Sequence, residues 1–252
     1  PPTLPDAFAI INPKKPGCSY PFKGLAGVGV AFKLAHALLG RIPEEWLDIV
    51  AIGTIADLVP LVDENRLLAI DGLRALQTSN RPGIIALKKK CGINGKEIHA
   101  DHVGFAIGPR INASGRMDSP YPALELLLTD DEAEAERLAS HIDEQNRHRQ
   151  KIVNDLTEKA IAIVERQFPL EENAVLLIEG DGWNEGVIGI VASRLVERYY
   201  RPTIVFSVCR ETNMAKGSAR SIEGFDIFEA LSKNSHLRPH FVGHPMAAGL
   251  SM

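Results

Sequence analysis

From Asp131 to Gln167 the chain carries no glycine and no proline and is rich in Ala, Glu, Arg, Lys and Gln. No other feature restricts the fold as much. Good helix formers following one another without a breaker predict a single long helix. Leu138, Ile142, Val153, Leu156, Ala160 and Val164 lay an apolar stripe along it, and Gln145 and Arg149 interrupt that stripe. A stripe that fails in the middle reads as a connector between two bodies rather than as a helix of one core.

The two sides of the run differ. Upstream, Val30, Leu34, Ala37 and Leu38 predict a helix within residues 21–40, opened by the Gly27/Gly29 turn. Residues 43–58 read as a second helix, stopped by Pro60, and 64–76 as a third. Residues 82–90 read as a helix or a loop, with Lys88, Lys89 and Lys90 as a solvated charged face. Downstream of Pro169 the pattern changes to strand (174–178), helix (187–199), strand (203–207) and a later helix at 227–231. The fold class expected is therefore α/β in two domains, with boundaries at 1–128, a connector at 129–168, and 169–252.

A chain of 252 residues has room for two such cores. Its three cysteines, Cys18, Cys91 and Cys209, are far apart, which excludes a disulfide framework or a thiolate zinc site and fits a reducing cytoplasm. No apolar run approaches the roughly 20 residues that span a bilayer. The net charge of −4 argues against nonspecific nucleic-acid binding by the whole surface. Between Arg194 and Arg220, however, Arg198, Arg201, Arg210 and Lys216 add to the cations, against only Glu197 and Glu211. That stretch is expected to face phosphates.

Three short segments carry the chemistry. Gly53-Thr54-Ile55-Ala56-Asp57-Leu58-Val59-Pro60-Leu61 sets one carboxylate in an apolar run, where burial is costly unless the acid is paired or bound to metal. Helical spacing puts Asp57 at the helix end, where it can project into a site. Gly108-Pro109-Arg110-Ile111-Asn112-Ala113-Ser114-Gly115-Arg116 gathers Arg, Asn and Ser among glycines, as in turns whose donors approach a phosphate. Arg110 serves a structural ion pair about as readily as a phosphate, and Asn112 suits a turn. Gly243-His244-Pro245-Met246-Ala247-Ala248-Gly249 places a histidine in a small-residue turn. Ser218 and Arg220 alternate, so an extended segment turns them to one side. Together these suggest a metal-dependent enzyme acting on a phosphodiester. For Phe225, Phe228 and Phe241, and for His36, His99, His102, His141, His148, His236 and His240, packing or surface roles are expected.

In this order and at these separations, with Ala9-Ile10-Ile11-Asn12-Pro13-Lys14 and Gly182-Trp183-Asn184-Glu185-Gly186-Val187-Ile188-Gly189, the segments resemble the DHH phosphoesterase superfamily, in its single-strand-specific exonuclease branch. The resemblance implies the C-terminal part of a DHH catalytic domain, then a connector helix, then a DHH-associated substrate-binding domain, with a cleft between the domains. It implies a two-metal Mn²⁺ or Mg²⁺ site ligated by Asp57, with Asp57 and Arg116 catalytic. Arg110, Asn112, Ser114, Arg116, Ser218, Arg220, Gly243 and His244 would then bind substrate or phosphate, Ser218 and Arg220 taking the 5′-terminal phosphate. Val242 stands where the superfamily's Gly-Gly-His segment has its first glycine. The chain opens at Pro1 and contains no Asp-His-His. The family's other metal motifs are therefore expected upstream, and this chain alone is expected to bind Mn²⁺ weakly and not to cleave. The implied activity is release of mononucleotides, 5′ to 3′, from single-stranded DNA in cytoplasmic repair and recombination, with single-strand-binding protein and a helicase as partners. The alternatives are a phosphodiesterase for short oligonucleotides or cyclic dinucleotides and a non-catalytic single-strand-binding scaffold.

Overall fold

The computed structural model describes residues 4–234 and 240–252, so His236 and Pro1 lie outside the described residues. The chain divides into two compact units, Pro1–Asn146 and Arg147–Met252.

The first unit is helical: α1 (Gly27–Leu39), α2 (Leu47–Ala56), α3 (Asp63–Thr78), α4 (Pro82–Lys90), the short α5 (Ala100–His102), α6 (Gly108–Met117) and α7 (Tyr121–Leu128). Between α5 and α6 the helix widens into a π-turn, Val103–Ile107. Pro109 explains that turn, because an ordinary α-turn would drive its ring into the carbonyl four residues back. Ala51, Leu76, Ile84, Leu87, Val103, Ile107 and Leu126 are almost fully buried and form the core. Each large aliphatic side chain buried there contributes about 1.5–3 kcal/mol.

The run without breakers is one helix, α8 (Glu132–Gln167). It joins the two units and is also a core helix of each. Leu138 and Ile142 are buried in the first unit, and Val153, Ala160 and Val164 in the second. The interruption of its stripe is not a solvated stretch, since Asp143 and Asn146 are buried as well. Asp143 is held there by Arg110 at 2.9 Å. Lys88 also departs from expectation. It is buried, donates to the carbonyls of Leu76 and Gln77 at the end of α3, and burial pushes its ammonium pKa down.

The second unit is a five-stranded mixed sheet of β1 (Leu176–Asp181), β2 (Thr203–Cys209), β3 (Met214–Arg220), β4 (His240–His244) and β5 (Ala247–Ser251), in the order β1-β2-β3-β5-β4. β1 and β2 are parallel, crossed over by α9 (Ile188–Tyr199), and the remaining pairs are antiparallel. α10 (Ile227–Lys233) packs Ile227 and Leu231 against Phe206, Ala219 and Leu250 on one sheet face. Among the described residues, no helix is long and apolar enough to cross a membrane.

Candidate active pocket and anion site

Two glycines let helices meet, Gly108 among them although its segment reads as a phosphate-approaching turn. A Cβ on Gly53 would lie 2.8 Å from Val28 of α1, and one on Gly108 would lie 3.0 Å from the Ala56 Cβ of α2. The ends of α1, α2 and α6 thereby enclose a cavity of about 730 Å³, which Asp57, Asn112 and Arg116 line. Asp57 caps the C-terminal end of α2, its amide bonding the Gly53 carbonyl. Its side chain is exposed, so the expectation of a buried acid in need of a partner fails. A carboxylate at the negative end of a helix still favours a cation. Leu58 follows it at φ 57°, a left-handed conformation that costs a non-glycine residue of order 1–3 kcal/mol, with its side chain 85% exposed.

The segment Gly108–Met117 is helix, not a glycine-rich turn. This sorts its residues by face. Asn112 and Arg116 are exposed, whereas Ala113 and Ser114 are fully buried. Ser114 Oγ donates to the Ser119 carbonyl at 2.6 Å, securing the bend after α6, so it faces no substrate. Arg110 is turned inward. Its Nε donates to Asp143 at 2.9 Å, and its terminal nitrogens donate to the carbonyls of Ala106 and Lys90. The ion-pair reading of Arg110 is the one its geometry fits.

Among the described residues no group of three or more His, Cys, Asp or Glu side chains could hold a metal ion. The pocket supplies a single carboxylate, and a two-metal site needs several anionic ligands. These residues by themselves do not fit such a site.

The second unit assembles a different site on its sheet. Directly paired residues point to the same face. Register therefore places Lys216, Ser251 and His240 in one row, Ser218, Gly249 and Val242 in the next, and Arg220, Ala247 and His244 in a third. The first two rows, with Glu185 and Ile188, line a cavity of about 390 Å³. Beside them the first turn of α9 approaches Ser218 and Arg220 so closely that a Cβ on Gly189 would lie 2.8 Å from both Ser218 Oγ and Arg220 Nη2. Arg220 Nη1 is braced by Ser218 Oγ at 3.0 Å and by the Ala219 carbonyl at 2.8 Å. No side chain caps the N-terminus of α9. A serine, an arginine and a helix N-terminus thus converge on one point, a donor set suited to a phosphate.

Gly243 and His244 lie in strand β4, not in a turn. Gly243 pairs with Ala248, so it belongs to the opposite face, and a Cβ there would meet the Ala247 carbonyl at 2.6 Å. His244 is on the Arg220 side, its Nδ1 accepting from the Met246 amide at 3.3 Å. The basic stretch is largely neutralised by acids distant in sequence: Arg198 pairs with Glu165, Arg210 with Asp181, and Lys216 with Glu185. Phe228 and Phe241 set their rings 5.5 Å apart, and Phe241 packs against the core under α10. Gly189, which the sequence marks only as part of the segment 182–189, owes this place to a contact with residues nearly thirty positions on, and nothing local to it points to Ser218.

Residues 172–252 match the DHHA1 domain model, which sets the second unit among DHH-associated domains. Across its whole length the chain is similar to part of the RecJ exonucleases. It is 55% identical over 251 residues to the single-stranded-DNA-specific exonuclease RecJ of Bacillus subtilis, covering 100% of this chain and 32% of that protein. It is 40% identical to RecJ of Escherichia coli, covering 99% of this chain and 47% of that protein. The chain thus spans about a third to just under a half of the length of these curated relatives. The crystal structure of Thermus thermophilus RecJ in complex with Mg²⁺ matches with a TM-score of 0.81 at 36% identity, covering 93% of this chain and 36% of that one. A structure of exonuclease RecJ bound to manganese matches with a TM-score of 0.75 at 37% identity, covering 93% and 58%.

Proposed function

We propose that this chain forms part of a single-strand-specific 5′-to-3′ DNA exonuclease and supplies its grip on the 5′-terminal phosphate. The observation that carries this is the meeting of Ser218, Arg220 and the Gly189 turn of α9 at one point. A terminal phosphate is dianionic and presents three strong acceptor oxygens. A braced guanidinium, a hydroxyl and backbone amides can satisfy these together, whereas an internal phosphodiester offers less charge. End preference would follow from that difference.

In the first unit, Arg116 and Asn112 donate to the strand beside Asp57. Arg116 would orient a phosphate, and Asp57 would be one anionic ligand among several for a divalent metal whose remaining ligands are not among these residues. The activity class fits a role in cytoplasmic repair and recombination, with single-strand-binding protein and a helicase as proposed partners.

The test is retention and cleavage. The purified chain is incubated with Mn²⁺ and either a 5′-phosphorylated single strand, the same strand with a 5′-hydroxyl, or a dinucleotide. The expected result is preferential retention of the phosphorylated strand with no mononucleotide release. Turnover of the dinucleotide would favour the short-oligonucleotide phosphodiesterase, and equal retention of both strand ends would overturn the phosphate assignment. Calorimetric titration with Mn²⁺ should show weak binding, and stoichiometric micromolar binding lost in Asp57→Ala would overturn the single-ligand reading.

A further inference from the structure

We infer that Trp183 is a positioning residue for the anion site. It fixes the loop before α9 to the sheet and so sets where the first turn of α9 meets Ser218 and Arg220. The inference deepens the terminal-phosphate reading above and rests on it.

The anion site joins two elements that are not neighbours in sequence, β3 and the first turn of α9. Their approach is close, since a methyl on Gly189 would already meet both polar side chains. Residues 182–187 lead into that turn, and they are fastened to the sheet face that carries the site. Register sets Gly180, Ser207 and Lys216 in one row, two positions along each strand from the row of Ile178, Val205 and Ser218. Alternation turns both rows to the same side. Trp183 lies over Gly180, so close that a Cβ there would fall 1.9 Å from the indole ring. Ser207 Oγ donates to the Trp183 carbonyl at 2.5 Å, and the Gly182 amide donates to the Val208 carbonyl at 2.9 Å. Asn184 then closes the turn, its Oδ1 accepting from the Gly186 amide at 2.9 Å and its carbonyl from the Val187 amide at 3.1 Å. The helix begins at the next residue, Ile188, and Gly189 is its second.

A second tie runs directly from this loop to β3, the ion pair of Glu185 with Lys216 at 2.7 Å. Both side chains are more than half exposed, and such a pair contributes little in water. The indole is half-buried and brings the larger apolar surface. Ser207 is 7% exposed, so its bond to the Trp183 carbonyl is shielded from water and costly to lose. Trp183 is therefore the anchor, and it acts on a phosphate only through the α9 turn.

The experiment uses the full chain without added metal, in a Trp46→Phe background that leaves Trp183 as the one tryptophan. Anisotropy follows two labelled single strands that differ only in a 5′-phosphate or a 5′-hydroxyl. Gly180→Ala should push the ring off the sheet, seen as a red shift of its emission. It should weaken binding of the phosphorylated strand about tenfold and leave the hydroxyl strand unchanged. Trp183→Ala should lose the same preference, and Trp183→Phe, which keeps a ring over Gly180, should restore most of it. That pair reads the preference even if Gly180→Ala does not fold. Equal losses on the two strands, or an intact preference after the emission has shifted, would overturn the positioning role alone. An unshifted emission would overturn the packing on which it depends. A parent chain with no preference for the phosphorylated end would overturn the terminal-phosphate reading and this inference with it.

Discussion

The pocket of the first unit and the anion site of the second are built from different material. The pocket is made by three helix ends, two of its glycines serve helix packing, and its one carboxylate is exposed. The anion site is made by a sheet face and a helix N-terminus, and its arginine is already held in place by Ser218 and a backbone carbonyl. Groups held before a ligand arrives lose little freedom when it binds. The difference teaches that the second unit presents a donor set already held in place, whereas the first offers donors and a single acid.

Five substitutions would break or sharpen this contrast, and all can be read as dissociation constants for a 5′-phosphorylated strand. The largest effect is expected from Arg220→Ala. Hydrogen bonds to charged groups are worth about 1.5–3 kcal/mol each, so affinity should fall by at least tenfold, with little change for a 5′-hydroxyl strand. Equal losses for the two strands would erase the distinction between the sites. Next comes Gly189→Ala, whose methyl would displace the Arg220 guanidinium and the Ser218 hydroxyl. A loss of about tenfold is expected with the fold intact, checked by circular dichroism.

Within the first unit, Arg116→Ala should weaken binding about fivefold, in line with a single exposed charge-assisted bond, whereas Ser114→Ala should not weaken it. The serine variant should instead lose about 1 kcal/mol of stability in urea titration, and weakened binding there would return Ser114 to the site. The smallest effect is expected from Val242→Gly. Val242 is 76% exposed and stands beside Gly249 on the sheet face. Removing its bulk should tighten binding about twofold, at some cost in strand propensity, and unchanged affinity would mean the side chain does not obstruct the strand.

Much of this was legible in the sequence because it depended on local rules. The absence of breakers gave α8, and the three- and four-residue spacing placed Asp57 at a helix end. Alternation put Ser218 and Arg220 on one face. What escaped depended on contacts between distant residues. Lys88 looked like part of a solvated face because nothing nearby in sequence shows that the end of α3 needs its ammonium. The cations of residues 194–220 looked unopposed because Glu165, Asp181 and Glu185 lie outside that window. The segment 108–116 read as a phosphate-binding turn, with Ser114 as a contact, because the helix that carries it holds a proline and two glycines. The accommodating π-turn has no sequence signature beyond the Pro109 it serves.

That π-turn has a consequence for what evolution or an engineer can change here. It acts as a phase shifter, since one added residue lets the stretch before it and the stretch after it follow different angular registers. Val103 and Ile107 keep the core in register, and Asn112 and Arg116 keep the pocket in register. Removing the one added residue, Gly104 for instance, would let the helix close into ordinary α-turns with both pairs facing as they do now. The Pro109 ring would then meet the carbonyl four residues back, so the cost of such a deletion should fall on stability at Pro109 and not on the two faces.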